Sequence, residues 1–166
     1  MKGVKLGSGS KFFGFTKIKK TTDSQINIGI RCTFRSSPTS NLIGVNRPCI
    51  LSTLGKKARL EIGDNCGLSG TVIGCFKEVI IGNNVKIGAN VLITDSDWHP
   101  EDPRSGKPES VHIGNNVWIG TGAVILKGVT IGENSLIGAS SVVVQNIPED
   151  VIAAGNPCKV IRVFKK

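Results

Sequence analysis

The chain has 166 residues, the size of one domain with one core, so a binding site has to lie on a single body or between copies of it. With 21 glycines, 5% aromatics and no tyrosine, the composition disfavours a helical bundle or an aromatic-rich sandwich and suits repeated tight turns. A formal net charge of +9 favours an anionic ligand or surface; the basic residues show no interleaved stacking aromatics and no helix-turn-helix or zinc-finger pattern, which sets nucleic acid aside.

Residues 1–15 hold Lys2, Lys5 and Lys11 but no continuous apolar run of the length that a signal peptide or membrane span requires, so a cytoplasmic location is expected. A six-residue period begins in the same stretch. Leu6, Phe12 and Ile18 are six apart, with Ser10, Thr16 and Thr22 at the fifth place of each unit. Ile28 opens a further unit, followed by Gly29 and with Cys32 in the fifth place. Cys32, Cys49 and Cys66 are spaced 17 apart, close to one turn of such a coil, and Cys49 takes the fifth place if Val45 opens its unit. The three predict a ladder of buried thiols and not a metal site, because no C-x-x-C is present and free thiols behave as small apolar groups. Free thiols agree with a reducing compartment.

The register continues at Ile62 and Leu68, then at Ile81, Ile87 and Ile93, with Gly63, Gly82 and Gly88 each following its isoleucine. After the unit 93–98 it breaks, leaving one long loop at about 99–112, and it resumes at Ile113. From there Ile119, Ile125, Ile131, Ile137 and Val143 follow without a skip, and Val117, Ala123, Val129, Ser135, Ser141 and Ile147 fill the fifth places. A period of six matches neither a helix at 3.6 nor a simple strand at 2.0. It fits a short strand and a corner in every unit, three units making a triangular turn of about 18 residues. About seven turns stacked at about 4.8 Å predict one all-β domain over 1–166, a parallel β-helix on the order of 34 Å long with a short basic tail at 157–166.

The break places His99 where the rigid coil hands over to the loop. Pro100 keeps it on extended backbone, and a neutral imidazole there can accept a proton from an attacking alcohol. Asp95 and Asp97 are candidates to orient the ring. His112 directly precedes Ile113 and is expected on the surface. Two histidines cannot make a three-His zinc site within one chain, so no metal is expected.

Four stretches carry a resemblance: Asp97-Trp98-His99-Pro100, Ile113-Gly114-Asn115-Asn116-Val117-Trp118-Ile119-Gly120, Gly128-Val129-Thr130-Ile131-Gly132, and Ala154-Gly155-Asn156-Pro157-Cys158-Lys159-Val160-Ile161-Arg162. Together they make residues 62–164 resemble the hexapeptide-repeat acetyltransferases, particularly the maltose and galactoside O-acetyltransferases and the O-antigen and capsule acetyltransferases beside them. The resemblance implies a left-handed coil, a homotrimer with sites between neighbouring subunits, and acetyl-CoA as the donor to a hydroxyl of a sugar or glycolipid. Amino-sugar N-acetylation and a non-catalytic scaffold are its alternatives. In it, His99 matches the general base. Trp118 and Thr121 match positions beside the pantetheine arm, Ala139 offers backbone contacts to it, and Val144, Gln145, Lys159 and Arg162 fall at the nucleotide end. Gln145 stands where a lysine is common, so Lys159 or Arg162 is expected to hold the phosphates. Ser69 and Asp97 are the candidates for recognition of the acceptor hydroxyl. The helical cap, Rossmann-like domain and helical domain that some relatives carry are not evident.

Overall fold

In the computed structural model, which describes residues 3–164, the chain winds as a three-sided, left-handed parallel β-helix. The first turn is β1 (Val4–Leu6), β2 (Lys11–Phe13) and β3 (Lys17–Lys20); the second is β4 (Gln25–Ile28), β5 (Thr33–Arg35) and β6 (Ile50–Thr53). The third turn is β7 (Arg59–Ile62), β8 (Gly67–Ser69) and β9 (Val72–Cys75), and the fourth is β10 (Glu78–Ile81), β11 (Lys86–Ala89) and β12 (Leu92–Thr94). Two-residue strands suffice in the fifth and sixth turns beyond β13 (Val111–Ile113): β14 (Trp118–Ile119), β15 (Val124–Ile125), β16 (Thr130–Ile131), β17 (Leu136–Ile137) and β18 (Val142–Val143). A partial seventh turn follows, with Ile147 bridging Ile131 and β19 (Val151–Ala154) pairing with β17. The chain then folds back as β20 (Lys159–Val163), antiparallel to β19. Six of the roughly seven expected turns are therefore complete among the described residues.

Each face is one ladder of strands. The first runs β1-β4-β7-β10-β13-β16, the second β2-β5-β8-β11-β14-β17-β19-β20, and the third from β3 to β18. The six-residue period is what keeps these ladders in phase. Leu6, Ile28, Ile62, Ile81, Ile113 and Ile131 form one inward column on the first face. Phe12, Phe34, Leu68, Ile87, Ile119 and Ile137 form the column on the second. Ile26, Phe34, Leu51, Leu60, Ile73, Ile93, Ile119 and Ile125 are wholly buried, each burial contributing about 1.5–3 kcal/mol.

The Ile-Gly pairs have a steric cause. A Cβ on Gly63 would lie 2.6 Å from the carbonyl oxygen of Gly82 on the next turn, so the corner stacks at this spacing only without a side chain. Asn65, Asn84, Asn116 and Asn134 hold the left-handed backbone that completes the corner, and their amides bond in pairs up the stack.

All five cysteines are free and buried, but the three expected in one ladder do not share a corner. Cys32 and Cys66 do stack, each thiol reaching a glycine carbonyl of the next turn at 3.1 Å. Cys49 sits at the following corner, ahead of β6, in the column of Thr71, Val91 and Ala123. The second turn carries an insertion between β5 and β6, so one turn separates Cys32 from Cys66 although 34 residues do. The intermediate spacing of 17 is an accident of that insertion. Burial pushes the Cys49 and Cys75 thiols above their ordinary pKa, which suppresses the reactive thiolate. Among the described residues no helix is long and apolar enough to cross a membrane.

Candidate active site

Two loops leave the coil, and they leave at different corners. Residues 36–49 connect the second face to the third, whereas residues 95–110 connect the third face to the first. The later loop is the expected one, although β12 ends at Thr94 and the departure comes before His99. The earlier loop was hidden because Val45 falls on the hexad phase and is indeed buried, on Gly70.

The later loop is anchored by Asp95, which is wholly buried. Its carboxylate accepts the backbone N–H groups of Phe76, Lys77 and Glu78, each at 2.7 Å, and so ties the departing chain to the corner before β10. Trp98 supplies the next fixed point. Its backbone is left-handed (φ 69°), its indole N–H donates to Thr94 Oγ1 at 2.9 Å, and its ring meets Phe76 edge-on at 5.3 Å. Gly74 leaves the space for that ring; a Cβ there would lie 2.2 Å from Trp98 Cζ2. Asp97 accepts from Lys127 and from the N–H of Gly106, closing the loop onto the fifth turn, and the lysine holds its carboxyl below the usual range.

His99 emerges beyond these anchors with its side chain 74% exposed. Its Nδ1 lies 3.2 Å from Glu101 Oε1, while the carboxylates of Asp95 and Asp97, the candidates to orient it, are bonded to backbone N–H groups and to Lys127. In the tautomer that donates Nδ1–H to Glu101, Nε2 carries the lone pair and faces solvent. A carboxylate following His-Pro at that interval was the signal in the sequence. His112 is on the surface as expected, 2.9 Å from Glu78 Oε1. Among the described residues no group of three or more His, Cys, Asp or Glu is placed to hold a metal ion.

The earlier loop runs down the corner between the second and third faces. Asn90 latches it: its side chain donates to the Gly44 carbonyl at 2.6 Å and accepts the Asn46 N–H at 3.1 Å, while Arg47 donates to its carbonyl at 2.6 Å. Asn41 donates to Ser69 Oγ at 3.1 Å, so this buried hydroxyl, a candidate for acceptor recognition, is engaged by the loop. Thus fixed, Asn41 and Ile43 overhang the second face. With Trp118, Thr121, Leu136 and Ala139 they enclose a cleft of about 470 Å3, largely apolar and of a size that takes a small-molecule arm.

Three of the predicted donor-binding residues, Trp118, Thr121 and Ala139, are thus brought together. Lys159 and Arg162 extend the same face on β20, two strands beyond Leu136 and about 10 Å along the axis. Val144 and Gln145 are exposed just past β18 and do not line the cleft. His99 does not line it either, since its loop leaves from the corner between the third and first faces. Asn41 and Ile43 line the cleft although no local pattern disclosed them; only the path of the earlier loop shows them.

Stacked hexads, one loop presenting a histidine and a second roofing an apolar cleft make up the candidate site of this parallel β-helix. A family profile described as bacterial transferase hexapeptide (six repeats) matches residues 110–145. The chain is 35% identical over 149 residues to the galactoside O-acetyltransferase of Lactococcus lactis subsp. lactis (strain IL1403), spanning 74% of this chain and 72% of that protein. It is 52% identical over 88 residues to the galactoside O-acetyltransferase of Escherichia coli (strain K12), covering 51% of this chain and 43% of that protein. It therefore spans less than half the length of that second relative. A solved galactoside acetyltransferase in complex with coenzyme A superposes with a TM-score of 0.56 at 28% identity, over 95% of this chain and 66% of that one. The chain belongs to the hexapeptide-repeat acetyltransferase family.

Proposed function

We propose that the protein moves an acetyl group from acetyl-CoA to a hydroxyl of a sugar or polysaccharide precursor, with His99 as the general base and the active site completed between subunits of a homotrimer. The observation that carries this reading is the cleft beneath Asn41 and Ile43. It gathers Trp118, Thr121 and Ala139 on an apolar floor and continues toward Lys159 and Arg162, an order that suits a pantetheine arm followed by phosphates. The solved relative that holds coenzyme A supports the donor, and the two galactoside O-acetyltransferases support the acceptor class.

In this reaction Nε2 of His99 removes the proton of the acceptor hydroxyl as its oxygen attacks the thioester carbonyl. The new C–O bond forms, the C–S bond breaks, and the proton passes to the departing sulfur. Charge that develops on the carbonyl oxygen needs a backbone donor. The N–H groups of Trp118 and Gly120 already serve the Ser135 and Ile137 carbonyls, which leaves that of Thr121 for the oxyanion. Because His99 and the cleft leave the prism at different corners, the base of one subunit serves the cleft of its neighbour. Asp97, already held by Lys127, stands beside the acceptor at the loop mouth. The five free thiols suit a reducing, cytoplasmic setting.

Acetyl-CoA at 100 times its Kd adds about 2.7 kcal/mol of stability, which for a chain of this size raises Tm by roughly 5–10 °C. A thermal scan that shows no such rise leaves a non-catalytic scaffold in its place. Release of CoA thiol across a panel of sugars and amino sugars then separates O- from N-transfer.

Trp98 serves as a positioning residue. Trp98→Ala is expected to lower kcat roughly 10- to 100-fold by loosening the backbone that carries His99, with KM for acetyl-CoA unchanged. Trp98→Phe, which keeps a ring on Gly74, should restore part of the loss. A matching rise in the acetyl-CoA KM would instead place the indole in the donor site.

A further inference from the structure

The charge of the chain is gathered at one end. Twelve of the 21 Lys and Arg lie in residues 1–60, together with one acidic residue, Asp23, whereas residues 61–166 carry nine basic and eleven acidic side chains. The whole positive excess therefore belongs to the first turns. In the structure these form one end of the prism as described, and every strand of the first turn turns lysine outward: Lys5 on β1, Lys11 on β2, Lys17 and Lys19 on β3. All four are exposed, and among the described residues none is in an ion pair.

Inside this ring of charge the core is uncovered. Leu6 and Phe12 head columns whose members one turn down, Ile28 and Phe34, are at most 4% exposed, yet they are themselves 50% and 40% exposed, with no turn above them among the described residues. Together with Val4, Ile18 and Phe15 they line an apolar opening of about 410 Å3, and Phe15 projects at the corner with 78% of its surface free. A partner for this end has to offer an apolar medium and negative charge together. A second copy stacked end to end offers the first and not the second. It would set two lysine rings against each other, and lysines along open strand edges act against edge pairing.

An interface of lipid headgroups offers both, since aromatic and aliphatic side chains settle at the headgroup–acyl boundary and lysines are drawn to anionic lipid. We propose that the β1–β3 end of the prism docks on a bilayer surface containing anionic phospholipid, with Leu6, Phe12 and Phe15 entering the boundary and Lys5, Lys11, Lys17 and Lys19 facing the phosphates. The strand from which the His99 loop departs, β12, is three strand spacings from β3, about 14 Å along the axis. Docking end-on thus carries that loop at a height suited to the headgroup of a membrane-linked acceptor. This last consequence rests on the proposed acetyl transfer; the docking itself does not.

The test is flotation of the full chain with vesicles of phosphatidylcholine alone and of phosphatidylcholine with phosphatidylglycerol at three to one, at low and high salt. Binding is expected to the anionic vesicles only and to fall steeply with salt. Lys11→Gln with Lys17→Gln should weaken it roughly 25-fold, at about fivefold per lysine. Phe15→Ser should weaken it with the melting temperature unchanged, because the ring is exposed. Capture that is absent, equal on neutral vesicles, or undiminished in these variants overturns the proposal. A concentration-dependent dimer that Phe15→Ser dissolves assigns this end to a second copy instead. Vesicle capture is read without substrate, so its failure is distinct from a failure of acetyl transfer.

Discussion

His99→Ala is expected to lower kcat by a factor of roughly 10²–10⁴, the range over which a positioned general base contributes. The imidazole is exposed and among the described residues hydrogen-bonds to Glu101 alone, so the fold should be indifferent to its removal and the melting temperature unchanged. Under the proposed transfer the imidazole takes a proton from the acceptor and does not hold the donor, so acetyl-CoA binding measured by calorimetry should also be retained. An interaction made only as the proton moves affects kcat and kcat/KM together. Glu101→Gln removes the charge beside Nδ1 while keeping an acceptor, and its effect should be much the smaller, because both side chains lie in water. Wild-type turnover in His99→Ala removes this residue from the mechanism and moves the search to groups within the cleft.

The second large effect concerns stability. Asp95→Ala is expected to lower the unfolding free energy by about 3–5 kcal/mol, the cost of leaving buried donors without a charged partner. Three backbone N–H groups, of Phe76, Lys77 and Glu78, lose their acceptor at once, in a corner that is closed to water on the Asp95 side. Set against a typical total of about 5–15 kcal/mol, that is a large fraction. Urea unfolding gives the value directly, and a melting temperature lower by roughly 10 °C should accompany it. Asp95→Asn keeps the shape but presents an amide N–H to at least one of the same donors, so it should recover only part of the loss. A change under about 1 kcal/mol in the alanine variant would show that these contacts do not anchor the loop.

The two residues at issue were not equally legible. His99 stood out because it lies where a period that had been regular fails, and the coil keeps its register on both sides of the break. In the sequence Asp95 is only a candidate to orient the imidazole. Its burial depends on the corner before β10, nineteen residues earlier in sequence at Phe76 and directly beneath it in space. Glu101, which does contact the ring, is close in sequence and could have been weighed there. The earlier loop was concealed by two coincidences, the hexad phase of Val45 and the even spacing of the cysteines, both of which mimicked an uninterrupted turn.

The amino-acid sequence by itself determined the coil: an inward apolar residue every sixth position, glycine beside it and a small residue at the fifth place specify strand, corner and stacking between neighbouring turns. These interactions repeat identically from turn to turn, so each hexad carries the whole instruction. Which corner a loop leaves from, and what it reaches, only the tertiary structure decided. An insertion interrupts the chain without disturbing the phase on either side, and its path is set by contacts such as Asn90 with Gly44 that join residues 46 positions apart. The roof over the Trp118 cleft, and the separation of that cleft from His99, follow from those long-range contacts.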